Sequence, residues 1–453
     1  MSAIDVAKTL ADLAVRQAAE FVRADAGYAS RRQEGGLLFE RRLDPVSLMP
    51  LSLSAGEDAA VRTAARDVLG VLDTAADLYR QDAAVRAHFP AYRAAEALLL
   101  ADPGIRPTAG VFRLDGVLTE AGDFKMIEAS TGGPGGVIKV GAELRLWAES
   151  IASLLDMEAP SYGDQPFGAD HLMFLRFLIG AHREQFGTAP EGAAVVGLGG
   201  EFANEVALMV DGFERLGVPA RELDATQLRR RTTGRGMLAG DFEVSVTYNK
   251  LDQVKLINHP PARPYLDAMV RGEICMLPNL LAHCVLDDKS MLAFLTDPAN
   301  SDLFGTRQQD TIAKHIPWTR VVEAGRTTDP DGRVIDLAEF VVAHRERLVL
   351  KPNDRTRGEG VVIGGETSPQ AWSAAVAQAA GGGHVVQEFV PLPEVDVPVV
   401  DGTSVEFRRL KHGLDAFVFG GEFAGYMCRA SVDTIINVGG RGLMLPVAVE
   451  DQQ

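Results

Sequence analysis

The chain has 453 residues, 46% hydrophobic and 24% charged, the balance of a folded globular protein with room for roughly two to four structural units. Its formal charge of −17 excludes nonspecific phosphate-driven nucleic-acid binding, although a local nucleotide site needs only a few cations. Three cysteines (Cys275, Cys284, Cys428) cannot form an even disulfide framework and read as small buried residues.

The opening MSAIDVAKTLADLAVRQAAEF carries acids in its first turns and no continuous apolar core, unlike a secretory signal. No run reaches the ~18 apolar residues of a membrane span, so a reducing, cytoplasmic setting is expected. Apolar residues at helical spacing over 3–23 and 56–101 predict amphipathic helices. From residue 110 the period becomes that of strands: GVFRLDGVL, a polar break, then FKMIEAS and a glycine-dense turn. IKVGAELRLWAESIASLLD and HLMFLRFLIGAHREQFG predict helices on either side of a Pro/Gly-rich stretch. GAAVVGLGGEFANEVALMVDGFERLGVPARELD reads as a βαβ-type unit, and EVSVTYNKLD as a further strand. DDKSMLAFLTD predicts a helix. RLVLKPNDRTRGEGVVIG reads as strand, basic glycine turn and strand. SPQAWSAAVAQAA is helical, VVQEFV extended, and 405–438 a series of strands.

Four stretches carry chemistry. Lys351 ends an apolar strand, and the loop after it holds Arg355, Arg357, Gly358 and Gly360, a pattern that fits either phosphate binding or a basic hairpin. It is not a P-loop, because the lysine precedes the glycines. GLGGEF lacks the full dinucleotide spacing, and a helix-packing turn explains it better. VVQEFV, ending in Gln387 and Glu388, suits a linker that offers backbone hydrogen bonds to a purine edge, with Glu394 nearby for ribose hydroxyls. Arg113, Asp115 and Glu128 fall on neighbouring strands: two carboxylates sharing a divalent cation, or an Arg–Asp pair beside an unrelated glutamate. No HExxH, zinc-type Cys/His spacing or GxSxG elbow occurs.

Together these stretches resemble the ATP-grasp superfamily of carboxylate–amine ligases in inverted order. DDKSMLAFL, LVLKPNDRTRGEG, VVQEFV and GYMCRASVDTIINVGGRG stand at the C-terminal end, while RLDGVL…KMIEASTGGPGG comes some 160 residues earlier than the DDK helix. That inversion resembles the circularly permuted group that includes glutathionylspermidine synthetase-like proteins. The resemblance implies an α/β (α+β) chain with an N-terminal helical region (1–105) and a metal-binding part (106–160). A Rossmann-like pre-ATP-grasp domain (161–285) and an ATP-binding part (286–453) with a lid loop at 353–360 would follow.

It assigns Lys289 and Lys351 to ATP phosphates, Arg355, Arg357, Gly358 and Gly360 to the lid, and Gln387, Glu388, Phe389 and Val390 to adenine. Glu394 would meet ribose, and Asn437 would lie near phosphates or metal. Asp115 and Glu128 match Mg²⁺ ligands, with Ser130 where the family has asparagine, a poorer Mg²⁺ ligand. Arg113 and Arg429 would stabilise an acyl phosphate. The expected cofactors are ATP and one or two Mg²⁺ ions. Expected partners are a small carboxylic acid and an amine, with neither nucleic acid nor membrane, and a homo-oligomer left open. Lys250, at a strand end, faces either the acceptor substrate or solvent. An ATP-binding protein without turnover and a Rossmann-type NAD(P) oxidoreductase are the competing expectations.

Overall fold

The computed structural model describes residues 2–39, 42–158, 165–198, 205–436, 438 and 441–450. The first amphipathic run forms α1 (Ala3–Arg16) and α2 (Ala18–Glu34). Ser2 opens α1: its hydroxyl accepts from the Asp5 N–H while the Asp5 carboxylate accepts from the Ser2 N–H. Ser54 and Glu57 make the same reciprocal cap for α3 (Ala55–Gln81). That helix stops where the Asp82 side chain caps a new short helix, and Pro90 then opens a 3₁₀ turn.

Strands β1 (Val111–Leu118) and β2 (Phe124–Ser130) form a hairpin, followed by α4 (Lys139–Leu155). The buried Arg32 guanidinium holds Asp44 and Glu143 together, which fixes α4 against α2. After α5 (Met173–Phe186) come β3 (Ala193–Gly197), α6 (Val206–Arg215), β4 (Ala220–Asp224), β5 (Val246–Asn249) and β6 (Cys275–Leu277). Their four strands make a parallel sheet in the order β6-β5-β3-β4. The apolar runs AAVV and CML suit strands covered on both faces. Most of the glycine turn after β3 (199–204) lies outside the described residues.

A π-helical turn (Ala282–Leu286) leads into α7 (Ser290–Thr296). Then β7 (Thr319–Val321), β8 (Leu348–Pro352), β9 (Val362–Ile363), α8 (Pro369–Ala379) and β10 (His384–Glu388) build an antiparallel sheet ordered β7-β10-β8-β9. Its own small core contains Trp318, Leu350, Trp372 and Val386.

The last strands, β11 (Glu394–Asp401), β12 (Ser404–Phe419), β13 (Glu422–Ser431) and β14 (Leu443–Leu445), join the hairpin near the start of the chain. The resulting six-stranded sheet runs β14-β13-β12-β1-β2, with β11 also paired to β12. Segments distant in sequence thus share one sheet: the Gly116 N–H donates to Asp415 Oδ1, 299 residues away, at 3.4 Å. Alanines 64, 65, 75 and 76 give α3 a flat buried face, which shares a core with Leu114, Ala129, Ala416 and Cys428 on the back of this sheet. The front is left for the site. Among the described residues no helix is long and apolar enough to cross a membrane.

Candidate functional site

Side chains alternate across a strand, so pairing register decides which residues meet. Arg113 stands opposite Ser130, and Asp115 opposite Glu128. On the adjoining strands Arg113 pairs with Phe417, and Gly413 with Arg429, which puts Asp415 and Arg429 on the same front face. A bulge after Asp115 sharpens the bend there. It also explains Gly116, where an added Cβ would fall 2.3 Å from the Phe124 ring.

These groups form an alternating charge row. Arg113 grips Asp115 with two bonds, Nε to Oδ1 at 2.5 Å and Nη2 to Oδ2 at 2.7 Å. Arg429 Nη2 reaches Asp115 Oδ2 at 3.0 Å and Asp415 Oδ2 at 2.8 Å. Burial alone would raise the Asp115 pKa, but Arg113 and Arg429 outweigh it and hold the group below the usual carboxylate range. Asp415 shares only part of that field. Burial, opposed by Arg429 and aided by the Asp115 charge, lifts it to about 6.

The other wall comes from the antiparallel β7-β10-β8-β9 sheet and the helix entry at 287–289. Lys351, at the end of β8, is buried; its Nζ donates to Gln387 Oε1 (2.7 Å) and to the Ile127 carbonyl on β2 (3.2 Å). Burial pushes its pKa down to about 8, against the attraction of Glu128. Lys289 bonds Glu128 Oε1 at 3.0 Å and the Arg355 carbonyl at 2.8 Å. Its burial is outweighed by Glu128, so its pKa is raised. The lid backbone therefore rests on one of the two lysines expected to handle phosphates. In that loop Arg357 has φ 60° and Gly358 φ 76°, backbone suited to a sharp turn.

Both walls enclose one cleft of about 630 Å³. It gathers Arg113, Asp115, Glu128, Ser130, Lys289, Lys351, Arg355, Arg357, Gly358, Gln387, Glu388, Phe389, Val390 and Arg429. Gly360 and Glu394 are not on its lining. The expected ribose contact of Glu394 is not made ready by the fold: the β11–β12 ribbon directs its carboxylate to Arg409 Nε at 2.6 Å. Asn437 lies outside the described residues. Within the linker, the Glu388 and Phe389 N–H groups are already bonded to the Trp318 and Arg347 carbonyls. Val390, past the end of the ladder, is left at the cleft.

Four functional-looking residues escaped the sequence reading or were left open by it: Asp287, Asp415, Glu205 and Lys250. Lys250 is buried and lines the cleft; its Nζ donates to the Pro134 carbonyl (3.2 Å) and Glu205 Oε2 (3.4 Å). Glu205 accepts from the N–H groups of Gly136, Ile138 and Lys139, so it pins the glycine turn to α6. Lys250 follows β5 at the carboxyl edge of the parallel sheet, where open α/β sheets bind ligands. That position was the available signal.

No family model matches the chain, and no curated protein matches it in sequence. Among solved structures, a glutathione synthetase-like effector from Globodera pallida, in apo form, superposes with a TM-score of 0.57 at 14% identity, covering 95% of this chain and 96% of the other. The chain shares its fold with that glutathione synthetase-like effector. A putative gamma-glutamylcysteine synthetase from Methylobacillus flagellatus KT matches over 74% of this chain and 80% of its own at 12% identity, with a TM-score of only 0.41.

The donor set bears on whether the expected Mg²⁺ would fit here. Among the described residues no group of three or more His, Cys, Asp or Glu forms a protein-only metal cage. Asp115 and Glu128 form a cross-strand pair on the cleft, with Ser130 opposite Arg113. One or two carboxylates are what Mg²⁺ takes when phosphate oxygens and water complete its octahedron. The residues fit a cation that arrives with a nucleotide.

Proposed function

We propose that the protein is an ATP-dependent carboxylate–amine ligase. The observation that carries this reading is the meeting, in one cleft, of two buried ammonium groups (Lys289, Lys351) with a carboxylate pair and the Arg113–Arg429 guanidiniums. Joining a carboxylate to a phosphate brings two anions together, and such a cleft is arranged to neutralise them.

Lys289, Lys351, Arg355 and Arg357 would receive the ATP phosphates, and Val390 the purine edge. Asp115 and Glu128, with the Ser130 hydroxyl beside them, would hold Mg²⁺, which supplies further charge neutralisation at the phosphates. A substrate carboxylate oxygen attacks the γ-phosphorus, the bond to the β–γ bridging oxygen breaks, and ADP leaves. Arg113 and Arg429 face the acyl phosphate so formed. An amine then attacks its carbonyl carbon and phosphate departs, leaving an amide. The 353–360 loop keeps water from the acyl phosphate. No side-chain nucleophile is required.

The test is ADP release with ATP, MgCl₂ and a panel of amino acids, dicarboxylic acids and small peptides crossed with primary amines. Amine-dependent release is expected from one pairing, abolished by Lys351→Ala or Glu128→Ala. Full turnover in both variants would show that the site is elsewhere.

A second reading, ATP binding without ligase turnover, is favoured by two observations. Both Asp115 oxygens are engaged by guanidiniums, and Ser130 stands where the family has asparagine. Tight ATP binding by calorimetry, with no ADP formed across the panel, would select it.

A further inference from the structure

Three consecutive charged residues at the helix entry line the cleft and take different partners. Asp288 accepts from the Tyr92 hydroxyl at 2.8 Å and from Ser290. Lys289 turns to Glu128 and the lid. Asp287 faces the cleft. Its Oδ1 accepts from the N–H groups of Thr131 (2.6 Å) and Gly132 (2.9 Å), the residues that directly follow Ser130.

Oδ2 lies over the face of the turn. A Cβ added to Gly132 would stand 2.9 Å from Asp287 Oδ2 and 2.5 Å from His283 Cδ2. The glycine leaves the room that this oxygen and the imidazole occupy. Thr131 Oγ1 donates to the Ala282 carbonyl at 2.7 Å, which ties the turn to the π-helical segment. The carboxylate is therefore held by one oxygen, with the other against Gly132 at the cleft lining.

The two side chains beside Asp287 on the π-helical segment carry no positive charge. Burial drives the His283 pKa well below its ordinary value and the Cys284 thiol upward, so both are neutral. The nearby ammonium of Lys289 is committed to Glu128 and the Arg355 carbonyl. A carboxylate so placed suits a cation that enters with the substrate.

We infer that Asp287 is the catalytic base that accepts a proton from the incoming ammonium substrate, a role that rests on the ligase reading above. The amine arrives as R–NH₃⁺ and gives one proton to Asp287 Oδ2. Its lone pair forms the C–N bond to the acyl carbon. The C–O bond to phosphate breaks with its electron pair, and the second nitrogen proton leaves with the phosphate as HPO₄²⁻. Asp287 returns its proton to solvent when product departs. Burial lifts the Asp287 carboxyl above the usual carboxylate range, which suits a group that must take up and release a proton.

The experiment compares wild type with Asp287→Asn, which keeps Oδ1 as acceptor for the turn. With ATP, MgCl₂ and the acid panel, hydroxylamine serves as an amine that is unprotonated at neutral pH; glycine and 1,4-diaminobutane arrive as ammonium ions. Asp287→Asn is expected to keep hydroxamate formation within about threefold, while amide formation falls about 100-fold or more. Retained hydroxamate formation also shows that the variant is folded and makes acyl phosphate. Equal activity of variant and wild type toward both amine classes would overturn the role alone, as would a parallel loss toward both. A wild type that forms neither hydroxamate nor amide would overturn the ligase reading and this role with it.

Discussion

Replacing Lys351 by methionine separates what the ammonium does for nucleotide binding from what its burial costs the fold. In the folded chain its pKa lies at about 8 instead of the ordinary 10.5, chiefly through burial. Each tenfold change in proton affinity is worth about 1.4 kcal/mol, so the charged form is disfavoured by about 3 kcal/mol. Above about pH 8 the folded protein sheds this proton while the unfolded chain keeps it up to about 10.5. The unfolded state then binds more protons, so stability rises with pH across that window, regaining about 2.5 kcal/mol between about pH 7 and pH 10. Lys351→Met has no proton to lose, and the Gln387 and Ile127 oxygens it exposes can take water from the cleft. Urea unfolding of the pair at both pH values should show the variant's relative advantage shrinking by about that amount. ATP affinity at pH 7 should fall by about 10- to 100-fold from the lost charge-assisted bond. If the two stabilities run parallel from pH 7 to pH 10, the ammonium is not buried at a cost and the reasoning fails.

Glycines of the turn should divide by what surrounds them. Gly132→Ala drives a methyl into His283 and Asp287 and should destabilise by about 1–3 kcal/mol, whereas nothing lies within 4 Å of a Cβ at Gly135, so Gly135→Ala should stay within about 0.5 kcal/mol by urea unfolding. Equal effects would mean the turn does not sit against the π-helical segment. Magnesium should bind with nucleotide and scarcely without it, because Arg113 and Arg429 already occupy Asp115, and Lys289 occupies Glu128. Thermal melts should barely move with millimolar MgCl₂ alone and rise clearly with MgATP; an equal shift with MgCl₂ alone would contradict that occupancy.

Much of this cleft was legible because its chemistry sits at the ends of short apolar strands. LVLK and KMIE each announce a strand by composition, and a charged residue at such an end has little choice but to face a site. Strand alternation then brings Arg113, Asp115, Glu128 and Ser130 to one face without further information. Alternation also explains why Glu394 is off the cleft lining. Glu394 begins a ribbon whose register faces it toward Lys411 and Arg409, a pairing fixed by β12 and invisible in PLPEVDV itself.

Asp415 and Asp287 were illegible for a different reason. In sequence, Asp415 is one acid in the apolar run GLDAFVF, and Asp287 merely precedes the expected DDK lysine. What makes each chemically distinct is its environment: Asp415 shares Arg429 with Asp115, a partner on a strand some 300 residues earlier, and Asp287 is gripped by a turn 155 residues before it. Chain order hid these encounters, since it puts the carboxylate hairpin early and its partner strands at the end. The sheet brings them together because β1 hydrogen-bonds to β12 whatever their separation in sequence. Once that pair forms, Asp115 must share a face with Asp415 and Arg429. The charge row across the cleft is thus a property of the sheet, and no local stretch of sequence contains it.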